Sequence, residues 1–140
     1  MTEAPELSAP AAPVSHEPLM PLDVRKTGYV YDPRMTLHST LAAGPHPERP
    51  ERITSLGSRR QRLGFIHRMH RILSREASLA EVSLVHTEEL WNSLEQTVQL
   101  PEDKLRELIA FYEAQSLYLN RSSTLCARVS CGSVVEECRA

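Results

Sequence analysis

Histidine and proline come together in one stretch of this chain whose residue types could do chemistry. The run is His46-Pro47-Glu48-Arg49-Pro50-Glu51-Arg52. Proline fixes φ, so Pro47 and Pro50 hold the backbone beside His46 in one place. A fixed imidazole can contact a substrate or move a proton. By spacing alone, the start of a helix with an incidental histidine is the favoured interpretation of this run.

No metal or nucleophile motif accompanies this loop. His67 and His70 lie three apart, which on a helix would put both rings on one face and allow metal chelation. No further ligand stands at a matching spacing, so exposed histidines on an arginine-rich surface are the favoured interpretation. His38 and His86 are isolated, and no Ser-His-Asp order, glycine-rich phosphate loop or His-Glu-x-x-His pattern occurs. The sequence therefore predicts no catalytic and no metal-ligating residue.

The cysteines are confined to the end of the chain, at Cys126, Cys131 and Cys138. Their spacings match no usual zinc or haem motif. We therefore predict buried thiols of a reduced, intracellular protein.

Strand and helix signals follow the first 25 residues. Residues 27–31 alternate like a strand and end in the turn signal Asp32-Pro33, and residues 33–47 predict a loop. Pro50 predicts a helix start and Gly64 its end, whereas residues 65–73 fit either a helix or a short strand.

Later signals are mostly helical. Ser78 and Glu81 form a capping box, and Thr87 caps a helix expected to run through Val98. Pro101 opens a helix whose apolar face holds Leu105, Leu108, Ile109 and Tyr112. Leu117–Leu119 fits a strand or an extended link, and Ser122 or Ser123 can cap a last helix.

Composition limits the function classes. The net charge is −2, which favours neither a nucleic-acid binder nor an acidic tail. Five of the ten prolines fall in the first 21 residues, so we predict that residues 1–25 form a disordered leader. Residues 26–140 form the remaining unit of the chain. No secretory signal or membrane span is predicted.

Charge is unevenly distributed. Eight arginines but only one carboxylate occur between Arg49 and Arg75, and nine acids follow between Glu76 and Glu113. The basic segment could be a patch for an acidic partner or nucleic acid. A basic surface facing an acidic neighbour within the same fold is the favoured alternative.

An ordered series of motifs resembles the start of a class II histone deacetylase catalytic domain, of the fungal or tubulin-deacetylase-like branch. The series includes Thr27-Gly-Tyr-Val-Tyr-Asp32, His46 to Arg52, Val85-His86-Thr87 with Trp91, and Cys131-Gly-Ser-Val-Val-Glu-Glu-Cys138. It covers about residues 27–140. The resemblance implies an α/β fold, the N-terminal portion of an arginase-like parallel-sheet domain, truncated and mostly helical as it stands.

The resemblance also implies a function. In this family the loop matching 33–50 rims the substrate tunnel, which makes His46, Pro47 and Ser123 candidates for substrate contact. The family hydrolyses N-acetyl-lysine on histones or other proteins with zinc, in the nucleus or cytoplasm and in corepressor-type complexes that repress transcription. Its His-His pair and zinc ligands would follow residue 140, so we expect this chain alone to be inactive and to bind no zinc.

Two departures and two alternatives remain. Leu41–Pro45 lacks the acidic residue that relatives place before the His-Pro pair, and Arg128 stands where an apolar helix residue is expected. We expect the apolar face of the helix that contains Leu105 to be exposed, because the sheet that it would pack against is missing. The chain could instead be a non-catalytic interaction module whose basic 49–75 face docks an acidic partner or nucleic acid, or an incomplete gene product. For the deacetylase itself, we expect neither membrane nor direct nucleic-acid contact.

Overall fold

A computed structural model describes residues 26–40 and 46–140 of the chain. The expected leader, residues 1–25, and the predicted gap in the acidic rim at 41–45 lie outside the described residues. Most of the described part is helical, with two very short strands. In chain order the elements are β1 Gly28–Tyr29, α1 Glu51–Arg62, β2 His70–Arg71, α2 Leu79–Val82, α3 Glu88–Gln96, α4 Glu102–Glu113 and α5 Ser123–Arg139. Short 3-10 helices occupy Pro33–Leu37, Ile66–Arg68 and Thr97–Gln99.

The two strands pair in parallel, with Gly28 opposite His70 and Tyr29 opposite Arg71. A parallel pair needs a crossover connection, and α1 lies in that connection. The ambiguous segment 65–73 is thus a 3-10 helix followed by a strand. Glycine is needed at position 28, because a Cβ there would lie 2.5 Å from Ile72 Cδ1.

Local signals placed several helix ends correctly. Ser78 and Glu81 form the predicted capping box, and the Thr87 hydroxyl accepts the Leu90 N–H at the start of α3. Gly64 follows α1 with a φ of 70°, a conformation that glycine adopts without a Cβ penalty. The helix predicted to run through Val98 ends earlier, at Gln96, and continues as a 3-10 helix.

Helix α5 supplies much of the core. Its buried positions are Thr124, Cys126, Val129, Gly132 and Ser133, and Val129 is fully buried. The helix packs on the 3-10 helix Pro33–Leu37 and on the segment just before α2. Ala77 N–H donates to the carbonyl of Arg128, a bond of 2.9 Å. These contacts hold the 3-10 helix Pro33–Leu37 and residues 75–77 against α5.

The structure corrects one loop prediction and decides between two alternatives at Leu117–Leu119. The predicted loop 33–47 contains the 3-10 helix Pro33–Leu37, because the Asp32 carboxylate caps it by accepting the Arg34 N–H at 2.8 Å. Leu117–Leu119 forms no strand and belongs to the link between α4 and α5. The link follows Ser116, whose φ of 60° turns the chain sharply after α4.

Burial corrects two further predictions. Leu105 is 3% exposed, so the expected exposure of that face of α4 is wrong at its first residue. Cys126 is buried as predicted, but Cys131 and Cys138 are exposed. The helical period explains the difference, because positions 131 and 138 point away from the face that carries Cys126 and Val129. Among the described residues, no helix has the length and apolar content needed to cross a membrane.

Candidate functional site

His38 and Ser123, which are 85 positions apart in the sequence, form a hydrogen bond of 2.8 Å between Nδ1 and Oγ. His38 directly follows the 3-10 helix Pro33–Leu37, and Ser123 is the first residue of α5. Because α5 packs on that 3-10 helix, the two side chains meet. The family resemblance predicts Ser123 as a candidate, whereas the sequence gives no local signal that pairs His38 with another residue.

Asn120 fastens the same loop from a second direction. Its side-chain amide donates to the carbonyls of Leu37 and Ser39, each at 2.9 Å, and the residue is 8% exposed. Its Oδ1 accepts the Ser122 N–H at 2.8 Å. The side chain of Ser122 itself makes no capping bond. Asn120 therefore caps α5 in place of the predicted serine.

Tyr118 brings two histidines together. Its ring stacks on His38 with centroids 4.3 Å apart, and it meets the edge of His46 at 4.9 Å. The Tyr118 hydroxyl also donates to the His38 carbonyl at 3.5 Å. We refer to His38, His46, Tyr118, Asn120 and Ser123 as the His38 cluster.

His46 is held by its own loop, as the two prolines predicted. Its Nδ1 accepts the Glu48 N–H at 3.1 Å, and the Glu48 carboxylate pairs with Arg52. Pro47 is exposed beside it. The structure thus brings the candidates His46 and Ser123 into one cluster, with Pro47 next in sequence to one of them.

A cavity of about 410 Å³ adjoins the cluster. Met35, Ile53 and Leu94 supply apolar walls, and His38 and Ser123 supply polar groups. An apolar cavity with a few polar groups is the usual form of a small-ligand site.

Burial governs the charge state of the cluster. Desolvation lowers the pKa of His38, and the negative charge of Glu48 opposes that shift. Burial also raises the pKa of Tyr118 and of the Cys126 thiol. All three groups are therefore mainly uncharged at neutral pH, and Cys126 Sγ donates to the Arg34 carbonyl at 3.1 Å.

The basic segment 49–75 pairs with acids only in part. Arg75 forms ion pairs with Glu81 at 2.6 Å and with Glu136 at 2.8 Å. The exposed arginines at the end of α1 form no ion pair within the described ranges; they are Arg59, Arg60 and Arg62. The prediction that the basic segment faces acidic residues of the same fold therefore holds for Arg75 but not for Arg59, Arg60 and Arg62.

Comparison with known proteins identifies the family. No protein-family model matches the chain. Histone deacetylase clr3 of Schizosaccharomyces pombe is 35% identical over 90% of this chain and 19% of its own length. Histone deacetylase HDA1 of Candida albicans is 32% identical over 82% of this chain and 16% of its own length. The chain belongs to the histone deacetylase family.

A solved histone deacetylase structure supports the same assignment. The crystal structure of the HDA15 HD domain superposes with a TM-score of 0.62 and 31% identity, over 76% of this chain and 29% of that chain. The chain thus corresponds to part of a class II deacetylase domain, and the predicted portion of an arginase-like fold is confirmed. It spans less than a fifth of the length of these two curated relatives.

The resemblance to histone deacetylases implies zinc, and the residues described here do not fit it. Residues 26–40 and 46–140 contain no group of three or more His, Cys, Asp or Glu side chains that could hold a metal ion. His67 lies in a 3-10 helix and His70 in β2, so they share no helix face. No chemical step can be assigned through a metal on this part of the chain.

Proposed function

We propose that this chain forms part of the substrate entrance of a zinc-dependent lysine deacetylase. In the full-length protein, that domain hydrolyses N-acetyl-lysine in histones or other proteins. The observation that carries the proposal is the His38–Ser123 bond, which joins the residue after the 3-10 helix Pro33–Leu37 to the start of α5. A loop fastened to a rigid helix presents its side chains in one geometry, which is what substrate binding requires.

Each candidate residue has a role in this entrance. Pro47 is exposed and rigid, so it offers an apolar surface beside the lysine side chain. His46 packs edge-on against Tyr118 and lines the same rim. Ser123 offers a hydroxyl to the backbone of the substrate. None of the three carries out the hydrolysis.

The whole protein supplies what this part does not. We assign zinc binding and catalysis to residues outside the described ranges, because the described ones include no metal-binding group. Acetylated histones are the proposed substrate, in the nucleus, the cytoplasm or both. A corepressor-type complex, transcription repression and a fungal origin belong to the same proposal.

Peptide binding to the chain tests the entrance directly. Amide NMR spectra would be followed during titration with a peptide containing N-acetyl-lysine and with its unacetylated twin. We expect larger shifts at Tyr118 and Ser123 with the acetylated peptide, and weaker binding for Pro47→Gly. Pro101→Gly, a matched change at the exposed start of α4, should leave binding unchanged. Equal shifts with both peptides would contradict the proposal.

A second candidate function rests on the unpaired arginines of α1. Arg59, Arg60 and Arg62 are exposed and concentrated in the last turn of the helix. Such a face would dock an acidic segment of a partner protein through charge complementarity. This role needs no catalysis and is compatible with the first.

Salt dependence separates this role from the first. Binding to a glutamate-rich peptide should weaken as salt is raised and should be lost when Arg59, Arg60 and Arg62 are all changed to Glu. A charge-matched control changes Lys26, Lys104 and Arg106 to Glu, all exposed and outside α1. Equal loss in both triple variants would indicate a net-charge effect, and tighter binding to DNA would identify nucleic acid instead.

A further inference from the structure

The hydroxyl of Ser123 has one proton and two possible acceptors for it, His38 Nδ1 and Asn120 Oδ1. A serine hydroxyl has one proton to donate and two lone pairs to accept with. The Asn120 N–H donates to Oγ at 2.8 Å and so uses one lone pair. His38 Nδ1 at 2.8 Å and Asn120 Oδ1 at 3.3 Å remain for the proton and the second lone pair.

Two arrangements satisfy this geometry. When His38 Nδ1 carries no proton, the Ser123 hydroxyl donates to it, and the second lone pair of Oγ stays free. When Nδ1 is protonated, it donates to Oγ, and the hydroxyl proton turns to Asn120 Oδ1. In that second arrangement Ser123 has no lone pair left for another molecule.

We propose that His38 is a positioning residue that decides whether Ser123 can accept an N–H from a bound acyl-lysine substrate. The inference rests on the proposed function, since it concerns the same entrance. When His38 Nδ1 is unprotonated, the free lone pair of Ser123 Oγ accepts an amide N–H of the substrate. With Nδ1 protonated, that acceptor is lost and substrate binding weakens.

The surroundings of His38 fix the direction of the pH effect. The groups that face it are Tyr118 and, through that ring, His46, together with Glu48 from the loop and Cys126 from α5. Desolvation disfavours the charged imidazole, whereas Glu48 favours it. Because substrate binds the neutral form, affinity is present above the pKa of His38 and falls as the pH drops through it.

Two measurements on the full 140-residue chain test the inference. The first reads the tautomer of His38 from imidazole ¹⁵N shifts without any peptide. We expect a bare Nδ1 and a protonated Nε2 at pH 8. The second measures the affinity of a peptide containing N-acetyl-lysine at pH 8 and pH 5. One lost hydrogen bond predicts about fivefold weaker binding once Nδ1 is protonated, so the affinity should be lower at pH 5 than at pH 8 and approach that limit as His38 titrates.

Variants assign the pH effect to His38. His38→Asn keeps a side-chain acceptor near the Nδ1 position but cannot titrate, so the ratio of affinities at the two pH values should fall to about one. His46→Asn and the exposed His86→Asn should each keep the wild-type ratio. If His38→Asn unfolds the loop, the tautomer measured on the wild-type chain still decides.

The outcomes separate the two claims. A protonated Nδ1 in the free chain at pH 8, or a pH effect that survives in His38→Asn, overturns the inference alone. A pH effect lost in His46→Asn assigns the switch to the other imidazole and also overturns it. A peptide that binds at no pH overturns the proposed function, and the inference falls with it. A bare Nδ1 with pH-dependent binding that His38→Asn abolishes supports both.

Discussion

The guanidinium of Arg128 lies 5.2 Å from the centroid of the Trp91 ring, which joins α5 to α3. The same group forms ion pairs with Glu76 at 2.7 Å and with Glu95 at 3.0 Å. The family resemblance predicts an apolar helix residue at position 128, and Arg128 departs from that prediction. Arg128 instead links α5 to α3 and to the segment before α2, because its guanidinium lies over the Trp91 ring and pairs with Glu76 and Glu95.

Changing Arg128 to Leu should therefore destabilise the fold even though it adds an apolar side chain. The loss of the cation–π contact and of the partly exposed ion pairs predicts a decrease in the free energy of unfolding of about 1–2 kcal/mol. Arg128→Lys, which keeps the charge, should lose less. The measurement is urea unfolding at pH 7. Arg106→Leu, at an exposed position of α4, is the control. An equally small change in the free energy of unfolding in both variants would contradict this role of Arg128.

Asp32 should make stability depend on pH in the acid range. Hydrogen bonds from the Arg34 guanidinium lower the pKa of this buried carboxyl from 3.8 to about 2, with a smaller contribution from the Ser74 hydroxyl. A depressed pKa in the folded state gives stability that is present above about pH 4 and is lost as the pH falls towards 2. Its size at pH 7 is about 2 kcal/mol.

Asp32→Asn tests this directly. The variant should be about 2 kcal/mol less stable than the wild type at pH 7, and the difference should shrink between pH 4 and pH 2. The exposed Asp103→Asn is the control and should follow the wild-type curve. A difference between Asp32→Asn and the wild type that stays constant down to pH 2 would show that Asp32 stabilises the fold by some other means.

Gly132 should tolerate no side chain. A Cβ there would lie 2.3 Å from the Arg75 carbonyl oxygen and 2.7 Å from the Ala77 nitrogen, and both atoms belong to the backbone. Gly132→Ala should therefore cost about 2 kcal/mol or more, against the usual benefit of alanine in a helix. Ser130→Ala, on the exposed side of α5, should change stability by less than about 0.5 kcal/mol. Thermal unfolding of both variants provides the comparison, and an unchanged Gly132→Ala would mean that α5 sits farther from residues 75–77.

The three cysteines should react at two different rates. Cys131 and Cys138 are exposed, whereas Cys126 is buried and burial raises its thiol pKa. A thiol-reactive dye should label two sites quickly and the third only on unfolding, because thiolate fraction and access control the rate. Cys126→Ala should leave the fast phase at two sites. Three fast sites in the folded wild type would contradict the packing of α5.

The sequence predicted the elements whose determinants are local. The capping box of Ser78 and Glu81, the Thr87 cap and the glycine stop at Gly64 each depend on residues within a few positions. β2 could not be identified in this way, because its partner β1 lies 42 positions earlier. Its apolar pattern alone fits a helix or a strand equally well.

The candidate site shows the same division. The stiff loop at His46 was visible in the order of its prolines, and the family resemblance pointed to Ser123. His38, Tyr118 and Asn120 were missed, because these contacts join segments 80 or more positions apart and leave no local pattern. The burial of Leu105 was missed because a helical period shows which residues share a face but not what covers it.

The most direct test of the central claim is an assay of the purified 140-residue chain with a peptide containing N-acetyl-lysine and added zinc. We predict no deacetylated product above the protein-free control and no zinc retained after dialysis, because the proposed entrance lies in residues 26–40 and 46–140, where no group of side chains could hold a metal ion. Turnover of the peptide by this chain, lost on addition of a chelator, would contradict the account.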